Sequence, residues 1–182
     1  SKVVHHSVDT DLFKPSDVEK TSALLSVVND FKNRDYCCNY SGWQRITEGF
    51  EAKLVGSCSE GLSKPASSIE ELVSEYNSAG VFLNTSTISP VPTSLLEAMS
   101  CGCAVVSTAT CMIPEIIKNG VNGFISNDEE ELKSYINDFI NDEELRKEMG
   151  RAARETILNN FSEESFINNW NKTFDLAYGA KK

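Results

Sequence analysis

The chain of 182 residues is 40% apolar and 24% charged, a balance that suits a globular domain with a sizeable core. Its formal net charge of −10 argues against general nucleic-acid binding, which needs a basic face. No apolar run reaches the ~20 residues that would carry a helix across a bilayer.

Much of the acid is local, in 128–131, 142–144 and 163–164, each stretch following a candidate helix N-cap at Asn127, Asn141 or Ser162. Carboxylates favour the positive end of a helix, so these clusters read as helix starts. Six cysteines stand at 37, 38, 58, 101, 103 and 111, with no Cys-x-x-Cys pair, and the two histidines, His5 and His6, lie far away. That pattern lacks the spacing of a zinc site, and reduced thiols in a cytoplasmic protein are expected.

In chain order, Val3 to Val8 is a short strand-like run that starts as if inside a longer fold, and Asp9 to Pro15 ends it with turn formers. Residues 24–28 (LLSVV) form a continuous apolar stretch, the pattern of a strand covered on both faces. Tyr40, Trp43, Thr47 and Phe50 recur at helical spacing, with Gly49 as the stop. A second strand is expected over 52–56. Ser68 and Glu71 then make a capping box for a helix whose apolar face is Ile69, Leu72, Val73 and Tyr76, ending near Gly80.

Residues 81–84 read as a third strand, 94–100 as a helix closed by Gly102, and 103–106 as a fourth strand. Asn119 to Gly123 is a turn into a last short strand. Two helical stripes follow, Leu132, Tyr135, Ile136, Phe139 and Ile140, then Leu145, Met149, Ala152, Ala153, Thr156 and Ile157. A final helix after Ser162 carries Phe166, Ile167, Trp170 and Phe174. Alternating strands and helices predict an α/β fold, a Rossmann-like parallel sheet with helices on both faces. Ligands bind such sheets outside the carboxyl ends of the strands.

The loops there lack the glycine fingerprint of dinucleotide sites, the phosphate loop of NTPases and the Gly-x-Ser-x-Gly elbow of serine hydrolases. Three features are positive. Lys32 and Arg34, in the first strand-to-helix loop, can offset diphosphate charge, although loops also carry such cations merely for solvation. Thr93 and Ser94 open a helix whose free N–H groups can grip phosphate oxygens. Glu97 is either a carboxylate facing a ligand or the last member of a capping box with Ser94.

Residues 94–107 (SLLEAMSCGCAVVS), followed by 113–117 (IPEII) and 119–124 (NGVNGF), closely resemble the C-terminal half of the group 1 glycosyltransferases, a large retaining family of GT-B fold. Residues 8–13 (VDTDLF) look like the segment joining the two halves of those enzymes. The resemblance implies a donor-binding domain for a nucleotide-diphospho-sugar such as a UDP- or GDP-sugar. Glu97 matches the second Glu of the family's Glu, seven residues, Glu motif and would hydrogen-bond the ribose hydroxyls. Thr93 and Ser94 match the loop and helix start that grip the diphosphate, and Lys32 and Arg34 match the basic pair in location. The pocket would need no metal and no cofactor.

Departures from the family pattern are local. Ser89 occupies the first Glu position, so no catalytic residue is assigned, and Pro90-Val91-Pro92 replaces Gly-Phe-Gly, removing two N–H donors. Cys111-Met112 stands where the family often has two glycines. The resemblance divides the chain into a connector with a first short strand (1–20), a nucleotide-sugar-binding domain (21–160) and a last helix (161–182) that would return to an N-terminal acceptor domain. That domain would lie in cis or on another chain, with peripheral membrane association through it. Such a half is expected to be inactive alone as a hexosyltransferase-like enzyme. The alternatives are a non-catalytic nucleotide or nucleotide-sugar binding module, or a protein-interaction scaffold that uses the apolar last helix.

Overall fold

A computed structural model describes residues 3–58 and 61–179. Five parallel strands form one sheet: β1 (Leu24–Val27), β2 (Ala52–Val55), β3 (Val81–Asn84), β4 (Ala104–Ser107) and β5 (Phe124–Ile125), in the order β2-β1-β3-β4-β5. Leu24 pairs with Ala52 on one side and Val81 on the other, so the chain reverses its direction of travel across the sheet between β1 and β3.

The strands are buried on both faces, and alternate side chains enter separate cores. Leu25, Phe82 and Val105 pack under helices α3 (Ile69–Ser78), α4 (Thr93–Ser100) and the one-turn α5 (Ile113–Ile116), with Ala153 and Ile157 of α7 (Glu143–Asn160). Leu24, Val81, Leu83, Ala104 and Val106 face α2 (Tyr40–Thr47) and α6 (Glu129–Asn141) through Ile46, Leu132, Ile136 and Phe139. Each such aliphatic or aromatic side chain contributes about 1.5–3 kcal/mol on burial. A small third cluster, Phe31 with Cys37 and Cys38, anchors the one-turn α1 (Asp35–Cys38) beside β1. All six cysteines are unpaired thiols.

The short strand expected within residues 1–20 does not form among those described. Val8 makes a single bridge to Ser162, its N–H donating to Phe161 O at 2.8 Å. Asp9 then ends the pairing, because its Oδ1 accepts from the N–H groups of Asp11 and Leu12 and curls the chain into a turn. Two expected helix caps also move by one residue. Asp128 caps α6 by accepting from Glu130 and Glu131 N–H, and Asp142 caps α7 through Leu145 N–H. Asn127 instead accepts from Ala109 N–H at 3.0 Å, bracing the loop after β4.

Helices of a parallel α/β fold run opposite to the strands, so their carbonyl ends gather at one edge of the sheet. Three cations serve them there. Lys20 Nζ donates to Tyr76 O (2.7 Å) and Ala79 O (3.2 Å) at the end of α3. Arg146 Nη1 reaches Phe139 O in the last turn of α6. Arg154 bonds Ser100 O and Oγ at the end of α4, and also Phe13 O and Thr10 O of the segment before β1. Each cation satisfies orphan carbonyls and opposes the negative end of a helix dipole. Together they border a cavity of about 500 Å³ on the side opposite the strand carboxyl ends.

Candidate functional site

At the other edge, where the strand order reverses, lies a cleft of about 440 Å³. Val27, Val28 and Asn29 of the β1 end form one wall, with Arg34 and Cys38 of the following turn. Asn84, Ser86 and Ser89 enter from β3 and its loop, and Val91, Pro92, Thr93, Ser94 and Glu97 form the α4 side. A larger groove of about 810 Å³ between α5, α7 and the last helix α8 (Glu163–Gly179) is lined largely by asparagines, lysines and glutamates. The cleft is the stronger candidate because it combines strand carboxyl ends, a helix start and a half-buried carboxylate.

Five of the six residues singled out from the sequence come together here: Arg34, Ser89, Thr93, Ser94 and Glu97. Lys32 does not. It is exposed and outside the cleft lining, because Phe31 is driven into the core and the chain turns tightly from Asp30, φ 53°, to Arg34, whose N–H donates to Asp30 O. Of the intended basic pair, the fold delivers one member.

Helix α4 starts at Thr93 with Pro92 as its N-cap, and no side chain caps it. Ser94 is therefore the second helical residue and Glu97 the fifth, which rules out the capping-box role for Glu97. Pro92 O accepts from Leu95 N–H at 3.1 Å. The N–H groups of Thr93 and Ser94 find no acceptor among the described residues and sit at the cleft. An anion placed there would meet two free donors and the positive end of the helix.

Glu97 is half-buried, and its Oε2 accepts from the Tyr76 hydroxyl at 2.8 Å. Burial raises its pKa above the ordinary glutamate value, and the Tyr76 hydrogen bond opposes that rise. Its second oxygen has no partner among the described residues, yet no buried side-chain oxygen of theirs is unsatisfied, so Oε1 opens to the cleft that Glu97 lines. Such an oxygen can accept a ligand hydroxyl. Glu97 is the only carboxylate that lines the cleft among the described residues. Across from it, burial pushes the Cys38 thiol up to about 11, so that wall is neutral apart from Arg34.

The proline-rich loop is braced from both sides. Thr87 and Ile88 N–H donate to Cys37 O at 2.8 and 3.1 Å, and Met112 N–H donates to Pro90 O at 3.3 Å. Cys111 adopts φ 51°, a left-handed conformation that favours glycine, so the backbone keeps the requirement although the residue has changed. Asn29 and Asn84 are cleft residues that sequence reasoning missed. Asn29 Oδ1 accepts from Ser57 N–H at 2.8 Å, and Asn84 Nδ2 donates to Ser107 Oγ at 2.8 Å. Their signal was a polar side chain at the carboxyl end of an otherwise apolar strand.

Residues 64–156 match the family model for group 1 glycosyl transferases. N-acetyl-alpha-D-glucosaminyl L-malate synthase of Bacillus anthracis is 33% identical over 78 residues, 42% of this chain and 20% of that protein. Sucrose-phosphate synthase from Thermosynechococcus elongatus superposes with a TM-score of 0.78 at 15% identity, over 98% of this chain and 53% of the other. Anabaena HepE in complex with UDP gives 0.77 at 19% identity, over 96% and 57%. The chain thus spans about half the length of these two solved proteins and a fifth of the curated relative. Family match and fold together make this chain a member of the group 1 glycosyltransferases, built as the C-terminal half of a GT-B fold.

Proposed function

We propose that the chain is the donor-binding half of a retaining glycosyltransferase, holding a nucleotide-diphospho-sugar for transfer to an acceptor carried by an N-terminal domain. The observation that carries this reading is Glu97: a half-buried carboxylate with one oxygen anchored and one open to the cleft, four and three residues along the helix from the unbonded N–H groups of Thr93 and Ser94. A nucleoside diphosphate supplies both complements, ribose hydroxyls for the carboxylate and phosphate oxygens for the N–H groups and Arg34. An adjoining apolar slit of about 290 Å³, bounded by Val27, Val55, Pro65, Ile69 and Leu72, suits the base. The UDP complex of HepE supports the same ligand class. In the reaction, Arg34 and the α4 start would stabilise charge on the departing diphosphate, with no metal required.

Helix α8 fits an acceptor half beside it, fused or separate. None of its residues is buried, and Trp170 meets Phe166 edge-on and stacks on Phe174, with ring centroids 6.3 and 5.4 Å apart. Calorimetry with UDP, GDP and ADP tests the reading. One of them should bind, and Glu97→Ala should weaken it by about 1–3 kcal/mol, the cost of an unmade charged hydrogen bond. Absence of binding by all three at millimolar concentration would sink it. A second reading, nucleotide binding without transfer, is favoured by Ser89, which brings a hydroxyl to the cleft where the family pattern has a carboxylate. Transfer assayed with an acceptor half present separates the two.

A further inference from the structure

Tyr76 stands out among the residues that the donor-site reading leaves without a role. Its ring is fully buried, packed against Phe13 and Phe82 with centroids 6.0 Å away in each case. Its carbonyl takes hydrogen bonds from Lys20 Nζ at 2.7 Å and Cys103 Sγ at 3.1 Å. Both backbone and ring are therefore fixed, and among the described residues the hydroxyl has one partner, Glu97 Oε2. A buried tyrosine hydroxyl needs such a partner, but this one ends in the cleft rather than in the core.

We infer that Tyr76 is a positioning residue for nucleotide recognition: by holding Glu97 Oε2 it aims Oε1 into the cleft, where the carboxylate receives the vicinal hydroxyls of a ribose. This inference rests on the donor-site reading and adds the residue that makes Glu97 competent. A free glutamate side chain samples several rotamers, and ordering it at the moment of binding costs affinity. Here α3 has already ordered it through a bond that spans 21 residues of sequence. The same bond favours the ionised form of Glu97 against the burial that disfavours it. Facing this carboxylate are Tyr76 from α3, Cys101 from the end of α4, and Arg34 and Cys38 across the cleft. Burial keeps the Tyr76 hydroxyl protonated well above its ordinary value and pushes the Cys101 thiol up to about 12. Neither competes for the proton of Glu97 near neutrality.

The experiment compares UDP with 2′,3′-dideoxy-UDP by calorimetry on the wild-type chain, Tyr76→Phe, Glu97→Ala and the double variant. Tyr76→Phe keeps the ring and removes one oxygen. It should weaken UDP by about 5- to 10-fold, the scale of one hydrogen bond to a charged group, and leave the dideoxy ligand unchanged. In the Glu97→Ala background the same change should have no further effect. The pH at which UDP affinity falls should move upward in Tyr76→Phe, because the ionised carboxylate loses its donor. Equal weakening of both ligands, or an undiminished effect without Glu97, makes Tyr76 a core residue only and overturns the inference. If UDP binds and Glu97→Ala has no effect, the ribose role itself fails. Should Tyr76→Phe not fold, 13C-tyrosine NMR on the wild type decides: the Tyr76 Cζ signal must shift with UDP and not with the dideoxy ligand.

Discussion

Glu97→Gln should move stability and binding in opposite directions. Glutamine has the shape of glutamate and can still accept the Tyr76 hydroxyl, so packing and the 2.8 Å contact are kept. What disappears is a charge whose ionised form the folded cleft disfavours, since burial raises the pKa of Glu97 by more than the Tyr76 bond lowers it. A carboxylate with a raised folded pKa binds its proton more tightly folded than unfolded. Its ionisation therefore costs stability, in full above the folded pKa, and the cost vanishes as pH falls below the unfolded value. The side chain is only half-buried with Oε1 open, so screening reduces the cost to about 0.5–1 kcal/mol at pH 7. For a domain of this size that is a rise in Tm of roughly 1–4 °C. The gain should shrink toward zero near pH 4, where glutamate is itself largely protonated.

Binding should respond the other way, because a glutamine amide presents a donor where ribose hydroxyls need an acceptor. A loss of about 1–2 kcal/mol corresponds to roughly 5- to 30-fold weaker UDP. Scanning calorimetry at pH 7 and pH 4, with UDP titrations, checks both signs. A fall in Tm with unchanged UDP affinity would return Glu97 to a purely structural role and refute the reasoning.

Three other outcomes follow from the packing. Arg154→Met removes donors to Thr10, Phe13 and Ser100 and leaves the carbonyls of Thr10 and Ser100 without them; urea denaturation should show a loss of about 2–4 kcal/mol. Gly150→Ala, inside α7, would ordinarily gain about 1 kcal/mol of helix propensity. Here a Cβ would stand 2.3 Å from Gly102 O, so the melting temperature should fall, and a rise would show that α7 and the α4–β4 junction separate easily. The pair Trp170→Ser with Phe174→Ser should change stability by less than about 0.5 kcal/mol, as expected for exposed positions, while weakening association with an acceptor half in pull-down or cross-linking.

How much of this was legible in the chain varies with the range of the interaction that decides it. The strands were readable because parallel strands covered on both faces must be apolar throughout, and residues 81–84 and 104–107 are completely buried. The starts of α6 and α7 were readable to within one residue. Asn127 and Asp128 are both good caps, and the choice between them depended on Ala109, which only the loop after β4 brings near Asn127. The expected strand in 1–20 is reduced to the one bridge of Val8 with Ser162, while the Asp9 turn that follows it is one the sequence does display.

The site divides in the same way. Thr93, Ser94 and Glu97 share one helix, so their relation follows from helical spacing once the start is known. Pro92 fixes that start. It has no N–H to donate, and its extended ψ of 121° with an accepting carbonyl makes it the N-cap, shifting the frame by two residues from a Ser94 cap. The Ser-x-x-Glu pattern could not reveal this, because it matches a capping box by composition whatever precedes it. Lys32 and Arg34 are two residues apart in a turn, where a single buried neighbour, Phe31, decides which one faces the cleft. Tyr76 was legible only as one more apolar contact on α3. Its bond to Glu97 depends on α3 and α4 flanking β3 on the same face of the sheet, an arrangement set by strand order and handedness rather than by any pattern within either helix. Cleft residues that share one helix can therefore be grouped from sequence here, whereas the tyrosine bonded to one of them is visible only once the sheet is assembled.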